Sequence, residues 1–403
     1  MLVPEKTLNK WLVLVLVTLV HMLAVGLPWT VMPVLFTAAS RELDLSLGQI
    51  GLLWSMLAIG AALVALPGGM LGDRLGFVRT IGLGCFAIAI TSGFRGLATD
   101  LTTLAIFMLL CGASIAIVFP NIQRIAGVFF PGHQVGLATG IIISGFAVGG
   151  VLTTALSATV IMPLVGSWRN VLFLYSGLCA LIATLWLLFM RHAPGRISSS
   201  EKSPAAARPT FRRSITAVFG IKEMWLLAIG NLGIVGSFIS LNGYLPVYLE
   251  KIGLGKSLGD TMSSTLFVAS IVGAIAVPAV ASRAGGLKPV MIVCAVATSV
   301  VILFLTMANE ALFWVLIPAA GALTQGVGTL VITHAIQIKK IGPEYAGTAV
   351  GLIGSLSNIG GFILPILGGK LADVNQTWPF FFWALITLLS TVCFMFIGSI
   401  KQR

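Results

Sequence analysis

About twelve apolar runs, each long enough to cross a bilayer, leave this chain little choice but a bundle of helices. They cover residues 11–37, 48–71, 80–97, 101–129, 135–162, 170–190, 223–249, 260–281, 289–307, 311–337, 346–369 and 379–399. A helix needs about 20 apolar residues to span the hydrocarbon. Inside lipid every backbone N–H and C=O must be paired within the chain, which only helices and closed barrels achieve. A barrel is excluded, because its strands would alternate polar and apolar residues over about ten positions. Charged residues make up 9% of the chain, and nearly all of them fall between the runs. A soluble domain carries roughly 25%.

The net charge of +12 is explained by which loops carry it. One set of loops holds Lys6, Lys10, Arg74, Arg79, Arg191, Arg196, Lys202, Arg208, Arg212, Arg213, Lys222, Arg283, Lys288, Lys339, Lys340, Lys401 and Arg403. The other holds Arg41, Arg169, Lys251, Lys256 and Lys370, with Arg95 close by. The positive-inside rule makes the first set cytoplasmic, with both termini inside, and removes nucleic acid as a partner. The expectation is a multi-pass protein of the plasma (inner) membrane. The partners expected are the lipid bilayer, a small-molecule anion and, in one version, protons, with the chain working as a monomer. Residues 11–37 are too long for a cleavable signal and form the first span.

The chain repeats itself. Gly69-Met-Leu-Gly-Asp73-Arg74-Leu-Gly76-Phe-Val-Arg79 sits between the second and third runs, and a weaker copy, Ser282-Arg283-Ala-Gly285-Gly-Leu-Lys288, sits between the eighth and ninth. In the fifth run of each half, Gly136-Leu-Ala138-Thr-Gly140 aligns with Gly347-Thr-Ala349-Val-Gly351 at an offset of 211, and Ser144, Gly149 and Gly150 align with Ser355, Gly360 and Gly361. Small residues at this density let helices approach closely in lipid. Such duplication is common in secondary transporters. The predicted architecture is therefore an all-α membrane protein with twelve transmembrane helices in two pseudo-symmetric six-helix bundles. An N-terminal bundle covers residues 1–190, a basic Ser/Ala/Pro-rich cytoplasmic linker 191–222, and a C-terminal bundle 223–403.

These features together, over the whole length, resemble the major facilitator superfamily. The resemblance implies a central cavity lined by helices 1, 4, 7 and 10, with alternating access by rocking of the bundles. It also implies gating by the charged turn: Asp73 latches the cytoplasmic side, with Arg74, Gly76 and Arg79 around it. A carboxylate near a helix start is electrostatically favourable there, and the bland alternative is that Asp73 only caps its own turn. A narrower stretch, Phe119-Pro120-Asn121-Ile-Gln123-Arg124 through Phe130-Pro131-Gly-His133 and on to Ala138-x-Gly140, is similar to the anion:cation symporters. Gly149-Gly150 and Ser355-Leu-Ser-Asn358-Ile-Gly360-Gly361 are similar to the nitrate/nitrite porters. The first family's Asp-Arg pair in helix 1 and the second's intramembrane Arg in helix 8 are both missing here.

No Asp or Glu is expected inside a span, Asp73 being placed at the inner surface. Arg124 is the intramembrane charge, and such a residue is a functional hypothesis by default. A guanidinium suits a carboxylate or nitrate bidentately, and in the anion:cation symporters the matching Arg is implicated in holding the substrate anion. Snorkelling to the interface is the alternative. Gln123 and His334 occupy equivalent positions at the 211 offset, and His21 lies mid-helix in the first run. A histidine can hold an anion or carry a coupling proton, or simply bond a neighbouring helix. Trp29, Asn242 and Tyr244 complete the expected substrate-binding set, with Gln325, Gln337 and Asn358 behind them. Arg95 and Arg169 are expected at the outer interface.

The leading expectation is a secondary active or facilitative transporter of a small organic, monocarboxylate-like anion, with proton symport one coupling option. A multidrug or metabolite exporter of the same fold, with an apolar cavity, is the alternative. Against it stand Phe146 where drug antiporters carry a helix-5 proline, and the lack of an outer-half Arg in helix 4. An enzyme is not expected, nor any metal or cofactor. The cysteines Cys85, Cys111, Cys179, Cys294 and Cys393 lie inside apolar runs without metal or redox spacing.

Overall fold

The computed structural model describes residues 9–45, 47–130, 132–190, 210–254 and 256–398. Among these, 12 helices are long and apolar enough to cross a membrane. Span 1 runs through Lys10–Val20, a π-helical stretch His21–Gly26, and Leu27–Leu43. Spans 2 to 6 are Leu47–Leu75, Phe77–Arg95, Leu101–Phe129, Gly132–Leu156 and Trp168–Met190. Spans 7 to 12 are Lys222–Leu249, Lys256–Arg283, Leu287–Phe304, Glu310–Gln337, Gly342–Val374 and Trp378–Met395. Of the expected linker, residues 191–209 lie outside the described residues. Its end forms a short helix, Phe211–Phe219, leading into span 7.

Spans 1–6 enclose one apolar core, reaching from Val13 to Met190. Spans 7–12 enclose two more, one at the end carrying Arg283 and Lys288 (the basic end) and one at the opposite end. A small separate cluster of Ile143, Ala274, Ile332 and Val350, with Phe119 and Ile336 against it, draws on both sets of spans. The molecule is thus two six-helix bundles joined along a narrow central seam.

The seam is built on glycine. A Cβ on Gly69 of span 2 would sit 2.0 Å from the carbonyl of Gly347 in span 11, and one on Gly140 of span 5 would sit 2.0 Å from that of Ala274 in span 8. Only a residue without a side chain lets these backbones cross. Gly76, with φ of 90°, turns the chain between spans 2 and 3, a conformation that favours glycine.

Span 1 is interrupted near its middle. Pro28 has no N–H, so the preceding turn cannot close normally and widens to a π-helix; Leu27 donates to Met22 rather than to Leu23. The Leu23 carbonyl instead accepts from the Cys179 thiol at 3.1 Å. Such single π turns are frequently found at functional sites.

Candidate functional site

Asp73 is not at the surface. It lies in the last turn of span 2, 7% exposed, so a carboxylate does sit inside the basic end of a span, contrary to the reading of the sequence. Its neighbours explain how that is tolerated. Arg124 of span 4 donates to it at 3.0 Å. Across the seam it accepts from the backbone N–H of Gly347 at 3.1 Å and of Thr348 at 2.9 Å, and from the Thr348 hydroxyl. A buried charge needs both a counterion and further hydrogen bonds, and Asp73 takes one from its own bundle and the rest from the other.

Span 4 is fitted around this carboxylate. Asn121 donates to the Gly68 carbonyl at 2.9 Å, and a Cβ on Gly72 would strike the Asn121 side chain. The Arg124 guanidinium lies over Phe77, 5.6 Å from the ring centroid. Arg124 also lines a cavity of about 180 Å³ at the seam, with Gly127, Val135, Ile336, Gln337 and Ala346. The nearest span-5 residues are joined to the other bundle by Gln337, whose amide donates to the Gly132 carbonyl at 2.9 Å.

Further along the seam from Asp73 lies the central cluster, with polar groups at its edge. The His21 ring stands 5.6 Å from that of Phe119 and 5.9 Å from that of Phe146. Its Nδ1 is 2.6 Å from the Ile142 carbonyl, while Nε2 is buried without a partner among the described residues. Gln123 follows Phe119 by one helical turn and precedes Gly127, which packs on Ile336. It is fully buried, and neither amide atom has a partner among the described residues. Unsatisfied buried amides are costly, so Gln123 and His21 are the polar groups here with bonding capacity to spare. Trp29 packs on Ala61, Ala65 and Ala116, on the same side of the bundle.

Other expected site residues turn elsewhere. His334 lies midway between Ile332 and Ile336 in sequence, so it points away from the seam when they point into it; it faces its own bundle and the field of Lys288. The 211-residue symmetry with Gln123 therefore holds along the chain but not in surroundings. Tyr244 donates to the Gln376 carbonyl at 2.9 Å and packs among Tyr248, Phe380 and Trp383, inside the second bundle. Asn242 is half-buried on span 7. Arg74 and Arg79 are exposed in the turn that follows Asp73.

The opposite end also departs from expectation. Arg95 is fully buried, not interfacial: it donates to the Pro28 carbonyl at 2.9 Å and to Ser92, and reaches the Met108 sulfur. It closes the C-terminal end of span 3, where a cation is favoured, and holds the irregular part of span 1. Arg169 does stay at the edge, paired with Glu42 at 2.9 Å and donating to the Gly96 and Ala98 carbonyls. The Glu42 carboxyl is held below its ordinary range, first by the Trp168 indole N–H and then by Arg169.

Thr348 bonds Asp73 directly and Asn121 packs beside it through the Gly68 carbonyl, and neither was singled out for a role in the sequence. Thr348 lies within the repeat Gly347-Thr-Ala349, but its counterpart in the first half is Leu137. That asymmetry was the available signal.

Comparison with known proteins places the chain in a family and agrees with the fold. A sequence profile described as Major Facilitator Superfamily matches residues 14–365, and the chain belongs to that superfamily. The chain is 24% identical over 408 residues to a gallate transporter of Pseudomonas putida, covering 93% of this chain and 88% of the relative. It is 24% identical over 374 residues to a nitrite extrusion protein of Bacillus subtilis, covering 89% and 86%. It is 23% identical over 394 residues to a D-galactonate transporter of Escherichia coli, covering 90% of each. The crystal structure of the superfamily transporter FucP in its outward conformation has the same fold, with a TM-score of 0.78 and 14% identity, over 96% of this chain and 99% of that one.

Proposed function

We propose that this member of the major facilitator superfamily carries a small organic anion across the plasma membrane by alternating access, with the basic end and both termini facing the cytoplasm. The observation that carries the reading is the double allegiance of Asp73. It is bonded to Arg124 within its own bundle and to Gly347 and Thr348 of the other, so the basic end stays closed while those bonds last. Opening that end breaks the three bonds across the seam and leaves Arg124 as the only strong partner of Asp73.

Arg124 ties this gate to the substrate. It lines the seam cavity one residue from Gln123, and an anion arriving there competes with Asp73 for the guanidinium. The anion and Asp73 thus share one guanidinium, and that sharing couples occupancy to the state of the latch. Gln123 and His21 supply the free bonding groups that would orient a carboxylate, and His21 is the candidate for a coupling proton. Relatives named for gallate, D-galactonate and nitrite support an anionic cargo.

A thermal-shift series on the purified protein with gallate, galactonate, nitrite and a neutral sugar tests this. A ligand that binds the native state raises Tm with its occupancy. One anion is expected to stabilise the wild type and to lose that effect in Arg124→Gln and, in part, in Gln123→Leu. Equal stabilisation of all three proteins by neutral or cationic compounds would replace this reading with an exporter that has an apolar cavity.

A further inference from the structure

The helix Phe211–Phe219 has a face that the protein leaves partly bare. Phe211, Ile215 and Phe219 follow one another down one side, with Val218 beside them, while Arg212, Arg213 and Thr216 take the other. Ser214 and Val218 are buried, yet Phe211 is 39% exposed and Ile215 38%. An apolar stripe beside a basic one is the pattern of a helix that lies in a membrane surface.

Its tether places it there. Only Gly220 and Ile221 separate it from Lys222, the first residue of span 7. The Trp225 indole donates back to the Phe219 carbonyl at 3.0 Å, and the two rings meet edge to face at 5.0 Å. The helix is therefore bolted at the level where span 7 enters the bilayer. Arg212 and Arg213 are both exposed, at the end of the molecule where the loops are positive.

The same helix touches both sides of the gate. The Arg74 guanidinium, next in sequence to Asp73, stands 5.5 Å from the Phe211 ring centroid. On the other side Val218 shares a core with Ile341, Tyr345 and Ala349, which flank Gly347 and Thr348 in span 11.

We infer that Phe211–Phe219 is a membrane-surface strap: it seats Phe211 and Ile215 among the lipids, holds anionic phospholipid headgroups with Arg212 and Arg213, and steadies the closed gate. The coupling to the gate rests on the reading of Asp73 given under Proposed function; the seating in lipid does not. Opening the basic end separates Arg74 from span 11, so a strap fixed to the leaflet and to both partners resists it. Each arginine near an anionic leaflet shifts the closed-to-open ratio by up to about fivefold.

The test uses the full chain in nanodiscs of phosphatidylcholine alone or with phosphatidylglycerol. A polarity-sensitive fluorophore on Ile215→Cys, in a Cys393→Ser background, reports seating by its quenching with spin-labelled lipid. The distance between spin labels on Arg79→Cys and Lys340→Cys reports the gate. Expected are quenching at position 215 and a closed fraction that rises with phosphatidylglycerol. Arg212→Gln/Arg213→Gln should lose that rise, while Lys339→Gln keeps it. A fluorophore that stays in water, unquenched, overturns the strap and leaves the face to a soluble partner. A rise unchanged in the double variant overturns the headgroup assignment. If position 215 is quenched and Asp73→Asn leaves the distance unchanged, the gate reading fails and the membrane-surface helix stands.

Discussion

The two copies of the charged turn join consecutive spans at the same end of their bundles but differ in backbone and in chemistry. In the first, between spans 2 and 3, Asp73 reaches across the seam to Gly347 and Thr348 and is held from behind by Arg124. In the second, between spans 8 and 9, no carboxylate stands at the matching place. Ser282 donates to the Ala279 carbonyl of its own helix, and Arg283 is exposed. Yet both copies end spans that cross the opposite bundle through glycine, at Gly69 with Gly347 and at Gly140 with Ala274. The duplicated halves thus share two close glycine crossings, and only the first carries a buried carboxylate bonded across it. Close packing of backbones needs only small residues, which a repeat preserves. A buried charge needs several partners at once, which one half can acquire without the other.

This contrast can be broken most forcefully at the crossings themselves. Gly69→Val and Gly140→Val should do comparable damage, because each side chain enters backbone that cannot yield. Loss of the closed basic end, read as a longer distance between labels at that end, is expected for both. An intact distance in either would mean that its crossing does not hold the two bundles together at that end.

Charge removal should separate the two copies. Asp73→Asn strips Arg124 of its ion pair, a change worth about 3–5 kcal/mol for a buried pair, and is expected to shift the gate toward open and lower Tm. Arg283→Gln, which removes the exposed charge of the second copy, should stay within about 0.5 kcal/mol. Equal effects would end the claim of asymmetry. Thr348→Val removes one hydroxyl donor but leaves both backbone donors, so a loss of about 1–2 kcal/mol is expected. Gln337→Leu, which deletes the side-chain bond to Gly132 near the second crossing, should cost about 1 kcal/mol.

The smallest effect belongs to the far end. Glu42→Gln removes an ion pair open to water, worth about 1 kcal/mol or less. Because the folded state holds the Glu42 carboxyl below its ordinary value, its contribution is complete above that value and fades as pH falls through the lowered one. Tm of the wild type and Glu42→Gln should therefore converge as pH is lowered from neutral through and below the ordinary glutamate range. Convergence on raising the pH would reverse the sign and dismiss the assignment.

Much of this molecule was legible in its sequence. The twelve spans, the helical class and the two-fold repeat follow from apolar length, from the obligation to pair backbone groups in lipid, and from residues recurring at a fixed offset. Arg124 stood out in the sequence as a charge inside a span, and Asp73 through the charged turn that carries the family resemblance, although the sequence placed Asp73 at the surface. What the sequence could not determine was that these two bind each other, or that Thr348 completes the site from 275 positions away. Nor could it show that His334 and Tyr244 turn into their own bundle, or that Arg95 is buried on the Pro28 carbonyl. Hydrophobic length is a property of each segment alone, so it survives being read one segment at a time. The direction a side chain faces, and the partner that makes its burial affordable, depend on helix rotation and on which spans cross. Only the packed structure decides those.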